Sequence, residues 1–340
     1  MAGLCAAARA RELGADVLLL EKGDRAGGSM LLSTGFVWRH ARWDDFRADC
    51  PDGDPDLQRL IFDRLDDAVH WLESLGARVE TRETGNPVTY GARFDPAGLT
   101  EALTRAAGEV RLGEPLTDLP RDVPVVLATG GFQGDRGLLR EHVSPEADHL
   151  LLRANPWSEG DGLRLALAAG AAASAGMDQF YGRNMPAPPA VIEEEDFVRL
   201  SQLYARHAHV SSAGETFATR TWSEIDVVQW TARRPEARAW YRVPAENLCA
   251  RVRDRTVGEM VDAAEAAGAP VERGEADVVV EVRAAVTTTV GGIAVDSDAR
   301  AADGVFAAGA DAGGVMTGGY SSGLGAALVL GRVAAESALA

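Results

Sequence analysis

Gly3 and Glu21 have the residue types and the separation that dinucleotide binding demands. In a βαβ unit of that kind a glycine lets the first helix pack closely. The helix N-terminus then faces a pyrophosphate, and an acidic residue about 20 positions on takes ribose hydroxyls. Here Gly3 opens an Ala/Leu-rich helix from about Leu4 to Leu13, Gly14 stops it, and the apolar strand Val17 to Leu20 ends on Glu21, eighteen positions after the glycine. Gly3 therefore fits the third glycine of GxGxxG. The first strand and the first two glycines lie outside the 340 residues, which leads us to expect an in-frame strand and GxG ahead of Met1. Taken alone, the pair also fits an alanine-rich helix that happens to precede a strand.

Two further glycine turns narrow the choice. Gly27-Gly28-Ser29 follows the strand, and Ala307 to Asp311 (AAGAD) ends a late strand on an acid of the kind that bonds a ribityl chain. The elements that must position these turns are readable from periodicity. Leu57, Leu60, Ile61, Leu65, Ala68, Val69 and Leu72 form one helical stripe with Gly76 as its stop. Val125 to Ala128 reads as a buried strand running into Thr129-Gly130-Gly131, and Gly160 to Ala171 as a helix opened by an Asp-Gly turn. From about Arg183 to Arg283 the texture shifts to aromatics, charges and prolines, before Val278 to Val282 returns to Gly-rich α/β sequence. This pattern predicts a middle domain inserted into a discontinuous one.

Composition removes other classes. With 34 Lys+Arg against 51 Asp+Glu, the formal charge of −17 repels phosphate backbones, so nucleic acid is not an expected partner. Cys5, Cys50 and Cys249 form no CxxC pair, and Cys5 reads as a helix packing residue. His207 and His209 alternate on an apparent strand but lack a third ligand, so no metal is expected. Glu193 to Asp196 is a solvated charge run. No leader pattern and no apolar run of about 18 residues is present, and the reading is a soluble, cytoplasmic protein without a membrane span.

Read jointly, AGLCAAARARELGADVLLLEKGDRAGGS, VVLATGGF, GDGLRLALAAGA, VSSAGETF, VTTTVGGIAVD and GVFAAGADAGGVMTGGYSSGLGAALVLGR give the chain its resemblance. It resembles the FAD-binding fumarate reductase/succinate dehydrogenase flavoprotein superfamily, and most closely its 3-ketosteroid dehydrogenase-like members. The resemblance implies an α/β fold: a doubly wound, Rossmann-like FAD domain over 1–182 and 284–340, with an α+β capping domain inserted at 183–283 and substrate held between cap and flavin. The segment VRLGEPLTDLPRDVP is too short for the β-meander usual before VVLATGGF.

The resemblance also implies that FAD is held by Gly3, Glu21, Lys22, Gly27, Gly28, Ser29, Ser33, Thr129, Gly130, Gly131, Asp161, Gly309, Asp311, Gly323 and Leu324. No His follows Gly27-Gly28 where covalent attachment would occur, so the FAD is expected to be non-covalent. In fumarate reductases the positions matching Tyr181, Glu224, Thr288 and Tyr320 carry His, Arg, His and Arg, which clamp a dicarboxylate and donate a proton. None is kept, and carboxylates entering a dry pocket need cationic partners, so a fumarate-like substrate is disfavoured. In 3-ketosteroid dehydrogenases the position seven after the Phe of the GxxF turn holds a tyrosine base, and a GxY turn holds a carbonyl-binding tyrosine. Here these are Glu224, seven after Phe217, and Tyr320 in Gly318-Gly319-Tyr320.

A buried carboxylate with a raised pKa can still remove a proton beside a carbonyl, while Tyr320 and the N–H near Leu324 stabilise the enolate. Tyr181 is the next candidate base, and Tyr181, Thr288 and Trp222 are candidate substrate contacts. Bland alternatives stand beside each: Glu224 pairing with Arg220, Tyr320 as packing, and Trp222, Trp230 and Trp240 as the cap's core. The expected activity is desaturation or saturation of a C–C bond next to a carbonyl on an apolar, ketosteroid-like small molecule, with an unidentified electron acceptor. The alternatives are reduction of a carboxylate-bearing enone, favoured if Arg183, Arg206 or Arg220 gather at the site, and a relative without bound FAD and without activity.

Overall fold

In the computed structural model, which describes residues 1–340, the chain folds as two units. The first comprises Met1–Asp135, Asn155–Gln179 and Thr288–Ala340; the second comprises Arg136–Ala154 and Phe180–Thr287.

In the first unit the helix Ala2–Glu12 buries Leu4, Cys5 and a run of alanines. It packs on the helix Gly323–Ala338, where a Cβ at Gly331 would fall 2.6 Å from the carbonyl oxygen of Ala2. Only glycine allows that approach. The strand Leu20–Glu21 pairs in parallel with Arg111–Leu112, and Val125–Leu127 pairs in parallel with Val305–Ala307. Parallel strands joined through helices are the mark of a doubly wound sheet. The strand Leu20–Glu21 is shorter than the apolar run Val17 to Leu20 suggests, with only Leu20 and Glu21 in register with Arg111 and Leu112.

A second, antiparallel sheet of Phe36–His40, Thr89–Phe94 and Val79–Thr81 lies in the same unit. The helix Pro55–Ser74 buries the expected stripe except for the half-buried Leu60, starts on Asp54, whose carboxylate accepts the N–H groups of Asp56 and Leu57, and ends before Gly76 at φ +92°.

The second unit is built on the thirteen-residue strand Asp277–Thr289. Its sheet runs Glu215–Phe217, His209–Ser212, Arg238–Pro244, Asp277–Thr289 and Val271–Arg273, with Leu151–Leu152 and Phe180–Pro186 also pairing to the long strand. Arg238–Pro244 alternates, burying Ala239, Tyr241 and Val243. That face meets Val257, Met260 and Val261 of the helix Val257–Ala266, which Thr256 and Glu259 open with a reciprocal capping box. Residues 136–154 belong here, because Leu151 and Leu152 pair in parallel with Ala285 and Val286. No helix is long and apolar enough to cross a membrane.

Candidate functional site

The segment that follows the strand Leu20–Glu21 is a tied turn. Glu21 accepts the N–H of Gly23 at 2.7 Å, and the Lys22 ammonium lies 2.6 Å from Asp161 and 2.7 Å from Glu159. Asp161 is the first residue of the helix Asp161–Ala168, so strand end and helix start are joined by one cation. Gly27 (φ +106°) and Gly28 (φ +54°) turn the chain where a side chain is disfavoured. Ser29 Oγ accepts the N–H of Asn155 at 3.2 Å, and Ser33 donates to the Met30 carbonyl and accepts from the Gly35 N–H. Gly3 passes within van der Waals reach of Ala128, so the helix lies close to the end of the strand Val125–Leu127.

Around Gly130 (φ +99°) and Gly131 (φ +88°) the structure carries a polar seat. A Cβ on Gly130 would fall 2.5 Å from Ser158 Oγ, and one on Gly131 would fall 2.7 Å from Thr289 Oγ1 and 2.9 Å from Gln133 Oε1. All three of these oxygens are buried without a protein hydrogen-bond partner. Orphaned polar atoms around a bare double-glycine turn are what a polar, hydroxyl-rich ligand such as FAD requires. Sequence reading missed Gln133, Ser158 and Thr289; within VTTTV nothing distinguished Thr289 from Thr288, and burial does.

Asp311, wholly buried, stitches this turn together. Its carboxylate accepts the Thr129 N–H, the Thr129 hydroxyl at 3.0 Å and the Gly131 N–H at 2.9 Å. Burial pushes its pKa up, against the pull of those donors. Gly309 (φ +70°) carries the chain past Ala2. Beyond it, Ser322 Oγ accepts the Gly325 N–H at 3.0 Å and opens the helix Gly323–Ala338, leaving the N–H groups of Gly323 and Leu324 at a helix N-terminus.

Tyr320 sits just before that helix, its ring edge-on to Trp38 with centroids 5.9 Å apart. A Cβ at Gly319 would fall 1.6 Å from the Asp49 carbonyl oxygen, so the GGY turn is pressed on the loop beginning at Asp49. Trp38 in turn edges His40, a buried imidazole 2.9 Å from Asp49 and stacked on Phe46. Thr288 spends its hydroxyl on the Thr289 carbonyl at 3.3 Å.

In the second unit the structure gathers a different set. Glu224 precedes the helix Ile225–Ala232 in left-handed geometry (φ 56°, ψ 24°), although an N-cap residue usually adopts extended geometry. Its side chain does not cap the helix. The buried carboxylate accepts the backbone N–H of Arg206 and faces the charges of Arg183, Arg206 and Arg253. Burial outweighs these and raises its pKa from 4.5 to about 7. Arg220 is not its partner: its backbone N–H goes to Asp226, which the hydroxyls of Thr219 and Thr221 also hold.

The buried Arg183 donates to the carbonyls of Ser223 and Gly182 and lies 4.7 Å over the Tyr181 ring, so Tyr181, Arg183 and Glu224 form one cluster. Behind it Tyr204 and Tyr241 meet edge to face, and burial together with the Glu224 charge raises both phenols.

Three expectations need correction. Trp222 is not core: it is half exposed, with Arg253 stacked 4.9 Å from its ring, while Trp230 packs on Phe217. His207 and His209 do not share a strand, since His207 ends the turn Ala205–His207 and only His209 enters Glu215's partner strand. The Glu224–Arg220 ion pair does not form, because Asp226 takes the Arg220 segment.

Fold and polar seat together define a doubly wound nucleotide-binding protein. The sequence model described as FAD binding domain matches residues 1–118 and 121–326, and the chain belongs to that family. No curated protein sequence matches it significantly. Among solved structures, a flavocytochrome c3 fumarate reductase in an open conformation aligns at TM-score 0.73 and 20% identity, over 99% of this chain and 76% of that one. The 3-ketosteroid-delta4-(5alpha)-dehydrogenase from Rhodococcus jostii RHA1, in complex with 4-androstene-3,17-dione, gives 0.73 and 17%, over 99% and 94%. The 3-ketosteroid delta1-dehydrogenase from Sterolibacterium denitrificans, in complex with 1,4-androstadiene-3,17-dione, gives 0.71 and 16%, over 99% and 98%. At these identities the likeness is one of fold. FAD is the cofactor that this family and the polar seat call for.

Proposed function

We propose that this FAD-dependent oxidoreductase desaturates or saturates a C–C bond adjacent to a carbonyl, with Glu224 moving the proton and Tyr320 donating to the carbonyl oxygen. The observation that carries the reading is the buried Glu224 carboxylate, whose pKa is raised to about 7 by burial. A group poised there is ionised often enough to take a proton and protonated often enough to return one.

Bound non-covalently at Glu21, Ser29, the Thr129 to Gly131 turn and the N-terminus of Gly323–Ala338, FAD supplies the hydride acceptor or donor. The chain's residues supply the rest. In desaturation the Glu224 carboxylate takes the proton from the carbon next to the carbonyl, and the electron pair left behind becomes the new C=C as hydride leaves the adjacent carbon. The Tyr320 phenol holds the carbonyl oxygen as negative charge develops on it. Tyr181, under the Arg183 guanidinium, is the reserve base. Two steroid-ketone complexes among the structural neighbours support a cyclic, largely apolar ketone as substrate.

A second reading has its own support. Arg183 and Arg206 beside Glu224 form a cationic surround that suits a carboxylate-bearing enone. One screen separates the two: flavin-loaded protein is assayed with an artificial electron acceptor on cyclic ketones and steroids, each with and without a carboxylate. Turnover confined to neutral ketones supports the first reading. Turnover confined to acids, abolished in Arg183→Met, supports the second.

A further inference from the structure

We propose that Trp157 is the aromatic seat of the FAD adenine and makes the nucleotide end selective for FAD over FMN. The inference starts from Gly23. A Cβ at that position would fall 2.5 to 2.8 Å from Cε3, Cδ2 and Cζ3 of the Trp157 indole, so the ring lies flat against a backbone that only glycine leaves bare. Gly23 follows Glu21 by two residues in a bend that the Glu21 carboxylate closes by accepting the Gly23 N–H at 2.7 Å, and Glu21 stands at the ribose position of the motif. A base attached to that ribose is carried over the same stretch of backbone on which the indole rests.

The segment bearing Trp157 is fastened rather than draped. The Trp157 N–H donates to Asn155 Oδ1 at 2.7 Å, and the Asn155 N–H donates to Ser29 Oγ at 3.2 Å. On the other side Glu159 and Asp161 both hold Lys22. The strap Asn155 to Asp161 is thus tied at both ends to the segment Glu21 to Ser29, and the indole is fixed between the ties.

Its surroundings are wrong for a core residue. The ring is only partly buried, the Arg25 guanidinium lies 5.4 Å from its centroid, and Lys22, paired with Glu159 and Asp161, is next to Gly23 in the chain. A large apolar ring held rigid among charged groups gains little from burial, and a flat aromatic partner suits it. Adenine has such a face, and stacking is tolerant of the exact orientation of the base. FMN carries no adenosine and cannot use this contact.

The test titrates the full chain, freed of flavin, with FAD, FMN and ADP, reading tryptophan emission and flavin fluorescence. ADP and FAD are expected to quench part of the emission, and Trp157→Phe is expected to remove that part while keeping most of the FAD affinity. Trp157→Ala is expected to weaken FAD binding by about 5- to 100-fold, as for loss of one base–aromatic stack, and to leave FMN binding unchanged. The proposal is overturned if Trp157→Ala weakens FAD and FMN alike, if it weakens neither, or if ADP leaves the emission of the unmodified chain unchanged. The first of these outcomes would reduce Trp157 to a structural strap residue without touching the FAD assignment itself.

Discussion

Each unit buries one carboxylate that helps define its site, and the two are held in opposite ways. Asp311 in the first unit is 1% exposed and receives three donors, two of them backbone N–H groups fixed by the turn they belong to. Glu224 in the second unit is 7% exposed and receives one backbone N–H, with cationic side chains as its remaining support. Burial raises both. The difference is that three donors favour the ionised form of Asp311, two of them fixed by the turn itself, whereas Glu224 has one backbone donor. The proposed proton-transfer role of Glu224 therefore rests on its shortage of fixed donors as well as on its burial.

The largest expected effects break this comparison at the chemistry. Once a substrate is in hand, Glu224→Gln should lower turnover by about 10²–10⁴, the usual cost of losing a general base. Tyr320→Phe should cost on the order of 10² through loss of one oxyanion donor. Flavin content, measured by visible absorbance, should be unchanged in both. Near-normal turnover of Glu224→Gln would move the proton transfer to Tyr181 and leave Glu224 as a buried structural acid.

Asp311→Ala should act on the fold instead. It strands two backbone N–H groups and the Thr129 hydroxyl, and hydrogen bonds to a charged acceptor contribute roughly 1.5–3 kcal/mol each. We expect a loss of about 3 kcal/mol or more in denaturant unfolding, together with loss of bound flavin. A variant that unfolds like the parent chain would show that the turn stands without its carboxylate.

What could be read in advance follows the range of the interactions. Gly3 with Glu21, the stop at Gly76 and the helix after Gly160 are local signals, and local geometry honours them. Arg136–Ala154 was unreadable as part of the second unit, because its allegiance rests on two residues pairing with a strand far along the chain. Glu224 was legible as an acid at a chemically interesting position, but not as a buried one. The charged and phenolic groups that interact with it, Arg183, Tyr204 and Tyr241, come from distant parts of the chain, and its left-handed backbone leaves no pattern in TRTWSEID. Trp222 misled for the converse reason, since a tryptophan reads as core until the structure turns it to solvent.

A smaller effect sharpens the comparison through pH. Glu224 binds its proton more tightly in the folded chain, at about 7, than in the unfolded one, at 4.5. Its contribution to stability is therefore complete below pH 4.5 and is lost as pH rises through 7. The stability difference between the parent chain and Glu224→Gln should fall by up to about 3 kcal/mol across that window. A flat difference would mean that the carboxylate titrates as it does in the unfolded chain.

The smallest effect concerns which of the surrounding groups sets the Glu224 protonation point. Arg183 is buried and stands first among the charges that favour the ionised form, so Arg183→Met should raise the midpoint further. Arg206 acts in two ways, through a backbone N–H that no substitution except proline removes and through an exposed guanidinium that solvent and salt screen. Arg206→Ala deletes only the second, and should raise the midpoint by less than Arg183→Met does. The readout is the infrared carbonyl band of the protonated carboxyl, identified by its absence in Glu224→Gln and followed against pH in each variant. Arg253 is kept in every variant, and Tyr204 and Tyr241 remain neutral across this range because burial raises both phenols. If Arg206→Ala moved the midpoint as far as Arg183→Met, Glu224 would be governed by side-chain charge alone. The contrast with Asp311, whose turn fixes its donors, would then be wider than one backbone N–H implies.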